Sequence, residues 1–208
     1  AGVELAMAIA YRLDALGRER AVTLYSDRPM FSGGLARRVR AALERNRVRL
    51  REPEAVLRLE PGVEVVTRGA RTRYDAVVWT AGAAPLGWLR ATGLDTDDAG
   101  FVLVDDMLRS VSHPEVFAVG DCATLRDHPH PKSGVYAVRH GDFLARNLRY
   151  ALAGTLLHRY RPQRRALALL SCGEQHAIAD WGGWSFEGAW VWRWKDWIDR
   201  RWIRRFAI

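Results

Sequence analysis

Leu5, Ile9, Leu13 and Leu16 recur at helical spacing, and Gly17 closes the run as a residue just past a helix end does. Ala21–Tyr25 then reads as a short buried strand. Leu35, Val39 and Leu43 mark a second helix, and Val48–Leu50, Val56–Leu59 and Val63–Thr67 follow as short β-like runs. After a Gly69-Ala70 turn, Tyr74–Thr80 is apolar enough for another covered strand. This alternation predicts an α/β fold with a mostly parallel sheet under helices. Past a polar stretch at Thr96–Gly100, Phe101–Val104 and Val116–Val119 predict two more strands, the second running into Gly120-Asp121. A long helix is predicted from about Gly134 to Leu152. Ala166–Ser171 and Gln175–Asp180 are spaced to pair as a hairpin across Cys172-Gly173-Glu174.

The end of the chain differs in kind. Trp181, Trp184, Trp190, Trp192, Trp194, Trp197 and Trp202 crowd into it, and from Trp190 onward it carries a net +4. Val191, Trp194, Ile198 and Trp202 recur there at helical spacing with bases between them. Such a segment either docks on its own protein or a partner, or lies on an anionic membrane surface. The whole chain has 208 residues and a net charge of +8, mostly through arginine. That charge without a recognised nucleic-acid module predicts no nucleic-acid partner. No apolar run is long enough to span a bilayer. Cys122 and Cys172 form no C-x-x-C and read as packed residues, which fits a cytoplasmic protein. No set of residues has the spacing of a metal site.

Several positions carry candidate chemistry. Gly2, at the start of the first helix, has the place of the last glycine of a dinucleotide-binding turn, which lets helix and strand pack closely. Roughly 20 residues on, where an acid meets the adenosine ribose in such folds, stand Ser26-Asp27-Arg28. Asp27 either bonds ribose hydroxyls or is a turn former. Arg28 either meets a 2′-phosphate or is a solvated charge. Thr80-Ala81-Gly82 offers small residues after a strand, for close approach of a ligand or for a plain tight turn. Gly120-Asp121 places a carboxylate at a strand end, suited to a ribityl hydroxyl or to an Asx turn. Pro131-Lys132-Ser133-Gly134 opens the long helix, whose start carries partial positive charge, and Lys132 adds to that field or is one exposed base among many. His113 and His140 read as structural or surface histidines.

Taken in order, Gly2–Ala6 (GVELA), Val77–Gly82 (VVWTAG), Gly100–Ser110 (GFVLVDDMLRS), His113–Ala123 (HPEVFAVGDCA) and Pro131–Leu148 (PKSGVYAVRHGDFLARNL) resemble the pyridine nucleotide-disulfide oxidoreductase superfamily, on its type II NADH dehydrogenase branch. Tyr160–Leu170 and the WVWRWKDWIDRRWIRRF tail are similar, more narrowly, to the oxidoreductase region fused ahead of selenide, water dikinase. The resemblance implies a partial architecture of two Rossmann-like dinucleotide-binding domains, for FAD and NAD(P)H, with a small C-terminal β-hairpin and helix. It divides the chain into an NAD(P)H-binding domain at 1–98 lacking its first strand, the C-terminal part of an FAD-binding domain at 99–155, and the hairpin and Trp/Arg-rich region at 156–208.

The same resemblance implies FAD and NAD(P)H as cofactors and hydride transfer from nicotinamide to flavin, then to an unidentified small-molecule acceptor. Gly2 and Glu4 correspond to the NAD(P)H motif, with Glu4 near the nicotinamide. Gly120 and Asp121 correspond to an FAD contact, and Lys132 with the amides of Val135 and Tyr136 to the flavin edge. No catalytic acid or base is implied. Ser26 stands where the family usually has the ribose acid, which leaves NADH and NADPH both open. Val135, Arg139 and His140 replace glutamines of the quinone-reducing pattern. Two partners are implied for the tail, the inner face of a membrane and a fused kinase portion. The expected fragment, lacking the first FAD half, would be poorly stable and inactive alone.

Overall fold

The computed structural model describes residues 1–19, 21–163 and 165–205. The chain packs as two units, one formed by 1–80 with 165–208 and the other by 81–164. These bounds follow packing and do not coincide with the three segments drawn from the resemblance.

In the first unit, α1 (Gly2–Ala15) and α2 (Gly33–Arg45) flank β1 (Thr23–Tyr25), which pairs in parallel with β2 (Arg49–Arg51). The α1 helix forms as its spacing predicts but buries a different face. Val3, Ala6, Met7 and Ala10 are inside, while Leu5 is 41% exposed. Alanines on the inner face bring the backbones close, and Val39, Ala42 and Leu43 of α2 complete the core with Val48, Cys172 and Ile178. Next come β3 (Arg58–Glu60), β4 (Glu64–Val66) and β5 (Arg71–Arg73), an antiparallel meander. The mostly parallel sheet predicted from the alternation is therefore corrected here. The links 61–63 and 67–70 are far too short for a parallel crossover, which needs about a dozen residues.

The Tyr74–Thr80 run is not a strand. Tyr74 donates its amide to Val63 O, and beyond it no strand among the described residues takes up the backbone. Val78 and Trp79 are 59% and 61% exposed. An apolar composition states that a segment suits a covered sheet; it does not supply the neighbour.

The late segment of the chain completes the first unit. The predicted hairpin forms as β8 (Ala168–Ser171) and β9 (Ala177–Trp181), and β10 (Trp184–Gly188) adds a third antiparallel strand. Gly182 and Gly183, with φ of 61° and 93°, make the two-residue turn that hairpin twist requires. Ile178 points into the α1–α2 core, whereas Ala177 and Ala179 point the other way and receive Val191 of α4 (Ala189–Arg204). Polar ties reinforce the layers: Ser171 N–H donates to Glu4 Oε1 at 3.1 Å, and Asn46 Nδ2 to Cys172 O at 2.9 Å.

In the second unit, β6 (Val102–Val104) pairs in parallel with β7 (Ala123–Leu125), and α3 spans Gly134–Leu152 as predicted. Val116–Val119, predicted as the strand before Gly120-Asp121, is extended but joins no ladder. Ser110 N–H donates to Val116 O and Ala118 N–H to Leu108 O, and a single bridge links Phe117 to Arg109. The place beside β6 is taken by β7, after the turn. Leu89, Val102, Val104, Leu108, Leu125 and Tyr160 form this core. Asn147 is wholly buried, donates to Met107 O and His158 O at 2.9 Å each, and accepts His158 N–H at 2.9 Å. Asn147→Ala leaves the Met107 carbonyl and the His158 carbonyl and amide without these partners and is expected to cost roughly 2 kcal/mol. Urea denaturation of the full-length protein measures it.

Candidate functional site

Each unit holds part of the predicted site, and they are described separately. In the first, Gly2 is required by packing: a Cβ there would lie 2.7 Å from Thr80 Oγ1. Thus Gly2 and Thr80 meet, with the start of α1 lying against a segment that is not a strand. Ala81 and Gly82 are exposed and begin the second unit. Glu4, expected beside a nicotinamide, holds the Ser171 amide and so joins α1 to β8.

Past the end of β1, Asp27 lines a cavity of about 710 Å³ together with Tyr25, Arg51, Glu54, Arg68 and Thr72. Tyr25 and Tyr74 share a hydroxyl hydrogen bond of 2.8 Å. Burial, then that bond, pushes the Tyr25 phenol up to about 12. The guanidinium groups of Arg51 and Arg68 have no ion pair or hydrogen bond among the described residues. Arg28 does not line the cavity; it lies 3.7 Å from Asp27 with both side chains well exposed. Ser26 turns its hydroxyl to Arg28 O at 2.6 Å. Arg51 and Arg68 escaped the sequence reading because nothing distinguishes them from the chain's many other arginines.

In the second unit, Gly120 adopts a left-handed φ of 67° and starts a 3-10 turn, Gly120–Cys122, that leaves the Asp121 carboxylate exposed. The Gly120 amide is captured by His140 Nδ1 at 3.0 Å. His140 is fully buried on α3, and burial, followed by the charges of His130 and Lys132, lowers its pKa to about 4. Its structural role was foreseen; its partner was not.

At the start of α3 the Ser133 side chain makes no capping bond. The amides of Tyr136 and Ala137 donate to Ser133 O, both at 3.1 Å. Tyr136 N–H thus has an acceptor at the start of the helix. Its ring is buried, and its hydroxyl donates to Gln163 O at 3.4 Å. Gly134 and exposed Val135 occupy the first turn, where amides have no earlier acceptor in the helix.

Lys132 is not a free charge. Its ammonium donates to Ala123 O and to Thr124 Oγ1 (2.9 Å), and lies 4.1 Å from the centre of the Phe101 ring. Burial lowers its pKa, opposed by Asp97, Asp121 and Cys122. Asp97 anchors this network. Burial would raise its pKa, but the Thr124 hydroxyl at 2.7 Å, the Phe101 and Gly100 amides and Lys132 together hold it below the usual range.

Both cysteines are free thiols, Cys172 buried and Cys122 partly so. Burial pushes the Cys172 thiol up to about 11, and Cys122 Sγ donates to Val119 O. Among the described residues no three His, Cys, Asp or Glu side chains gather as metal ligands.

The sequence profile described as "Pyridine nucleotide-disulphide oxidoreductase" matches residues 1–141. The chain belongs to this family. It is 31% identical over 134 residues to ferroptosis suppressor protein 1 of Xenopus tropicalis, covering 64% of this chain and 33% of that protein. It is 30% identical over 155 residues to an NADH dehydrogenase-like protein of Mycobacterium tuberculosis, covering 70% and 38%. The chain thus spans little more than a third of these curated relatives. In fold it is similar to an FAD-dependent pyridine nucleotide-disulphide oxidoreductase from Desulfovibrio vulgaris, with a TM-score of 0.65 at 24% identity over 88% of this chain and 47% of that one.

In this family member the buried imidazole gives a pH signature. The folded state keeps His140 neutral down to about 4, whereas its ordinary value is 6.5. Below the ordinary value the unfolded chain takes up a proton that the folded chain refuses. Stability therefore falls as pH drops from about 6.5 to about 4, by roughly 3 kcal/mol at the end of that window. His140→Gln is expected to flatten this part of the acid profile in urea denaturation.

Proposed function

We propose that the protein to which this chain belongs is an FAD-dependent NAD(P)H oxidoreductase. The observation that carries the reading is the Gly120–Asp121 turn, with its exposed carboxylate, in a unit whose α3 helix starts without a side-chain cap. These donors and acceptors fit a flavin dinucleotide: Asp121 to accept from ribityl hydroxyls, and the first α3 amides to favour negative charge at a ring edge. Bound flavin supplies the two-electron chemistry, accepting a hydride equivalent and passing electrons to an acceptor not yet identified.

The first unit offers the complementary nucleotide features. Gly2 lets α1 begin close against the Thr80 side chain, and Asp27 faces a cavity with room for part of a dinucleotide. Asp27 supports recognition of ribose hydroxyls, while the unpaired Arg51 and Arg68 support an anionic group such as a 2′-phosphate. Anaerobic titration of the full-length protein with NADH and NADPH decides between them. The expected result is a yellow protein bleached by at least one nucleotide, with Asp121→Ala retaining flavin about tenfold more weakly. A colourless protein indifferent to both nucleotides sinks the proposal. The type II NADH dehydrogenase branch, and the narrower likeness to the region fused ahead of selenide, water dikinase, belong to this same reading.

A second reading concerns location. No helix among the described residues is long and apolar enough to cross a membrane. On α4, however, helical geometry puts Trp190, Trp194 and Trp197 on one arc with Arg193, Arg200, Arg201 and Arg204. Asp196 and Asp199 fall outside it. Only Val191 of this helix is buried, and Trp181, Trp184 and Phe186 are exposed on the sheet face that carries α4. A face of tryptophan and arginine, with Asp196 at its edge paired to Arg200 at 2.7 Å, complements an anionic bilayer, where indole rings settle at headgroup depth and guanidinium groups meet phosphates. Nucleic acid would use the arginines but would not cover the hairpin tryptophans. These features support a cytoplasmic protein held peripherally on the inner face of a membrane.

Sedimentation with phosphatidylglycerol-containing vesicles is expected to retain the full-length protein, and neutral phosphatidylcholine vesicles are not. Changing Trp190, Trp194 and Trp197 to serine lowers retention at least about tenfold. Equal behaviour of variant and wild type ends this reading. Protection of the tryptophans by a kinase portion of a longer chain would assign the face to that partner instead.

A further inference from the structure

The His140–Gly120 bond is one link of a longer chain. His140 Nε2 lies 3.2 Å from His130 Nε2, and His130 Nδ1 lies 3.0 Å from Pro131 O. Half-buried His130 stacks on Tyr136 with ring centres 4.1 Å apart and planes at 16°. His140 meets the edge of Tyr160 at 4.7 Å.

These contacts allow one arrangement of protons. A backbone amide only donates, so His140 Nδ1 accepts from Gly120 and the His140 proton resides on Nε2. That proton points at His130 Nε2, which must accept. The His130 proton is then on Nδ1, donated to the Pro131 carbonyl, which only accepts. Both rings are neutral, and every hydrogen bond has one donor and one acceptor.

The geometry points to His130 and His140 as positioning residues: a proton-sensitive latch that ties the segment leading into α3 to the Gly120–Asp121 turn. A proton added to His130 must go to Nε2, where it opposes the His140 Nε2–H across 3.2 Å. Two donors cannot share that contact, so the link opens. His140 then keeps a buried N–H without an acceptor, and Pro131–Ser133 is left tied beside the turn through Lys132. His130, half-buried, is the member of the pair that solvent protons reach. The groups facing the pair are Lys132 beside it, Tyr136 from α3, and Tyr160 from the segment after it, with Arg139 of α3 acting on Tyr160. Asp121 and Cys122 face Lys132 from the turn.

The functional consequence rests on the oxidoreductase reading, in which that turn and that helix start hold the flavin. On acidification the FAD-loaded full-length protein is expected to lose roughly tenfold in FAD affinity. That is the equivalent of one lost buried hydrogen bond, about 1.4 kcal/mol. His130→Gln, whose amide oxygen accepts at every pH, is expected to hold flavin well and without this pH dependence. His130→Phe keeps the stacking on Tyr136 but not the acceptor, and is expected to hold it weakly at every pH.

Histidine-selective 15N spectra of the full-length protein read the latch directly and without flavin. His140 is expected protonated on Nε2, neutral His130 on Nδ1, and the Gly120 amide to shift as His130 gains its second proton. A His140 protonated on Nδ1, or identical pH profiles for wild type and His130→Gln, overturns the latch. A protein colourless at every pH but showing the expected tautomers and Gly120 shift fails the oxidoreductase reading and supports the latch.

Discussion

The second unit is organised by one backbone group, the amide of Gly120. A left-handed residue between an extended segment and β7 turns its N–H away from any ladder, and a buried amide without an acceptor is costly. His140 supplies the acceptor from the second turn of α3. That one bond sets where α3 lies against the turn, and the turn in turn leaves Asp121 outward and sends β7 alongside β6. Lys132 then closes the other side by holding Ala123 and Thr124, whose hydroxyl is held by Asp97. The polar residues of this unit act mainly on backbone geometry, which is what a site recognising a cofactor by its sugar and ring edges requires.

In the first unit the equivalent constraint is closeness. α1 lies on its neighbours through alanines and begins at a glycine that admits no Cβ beside Thr80. A helix held this near to the sheet leaves no space for its leucines on the inner face, so Leu5 and Leu16 are exposed. The second sheet is fastened to the same helices by Glu4, Asn46 and the pair of Arg38 with Glu187 at 3.5 Å. The Trp/Arg-rich end is thus built onto the first unit through β9 and Val191, and its tryptophans Trp181, Trp184, Trp190 and Trp197 are exposed.

The legible parts of the sequence are those whose partners are local. The α2 and α3 helices, the β8–β9 hairpin and the glycine after α1 follow from spacing and turn chemistry within a dozen or so residues. Gly120-Asp121 was legible too, because a glycine before an acid at the end of an apolar run marks a change of direction. Strands were less legible. Val116–Val119 and Tyr74–Thr80 have the composition of covered strands, yet pairing depends on a neighbour that composition does not name. Helix faces failed where size mattered more than hydrophobicity, as in α1. His130, Asp97, Arg51 and Arg68 were invisible because their meaning lies in what they face across the fold.

The proposed reaction asks for no acid–base residue of the chain. Hydride transfer between two cofactors asks the protein for placement and a steady electrostatic field, and both come here from turns, helix starts and buried polar links. Such links are more sensitive to protons than a solvated carboxylate is, because a buried hydrogen bond has a direction. The two imidazoles between Pro131 and Gly120 carry one proton each, in one order, and neither can add a second without breaking a contact. The same low-dielectric burial that makes the turn rigid therefore also makes it responsive.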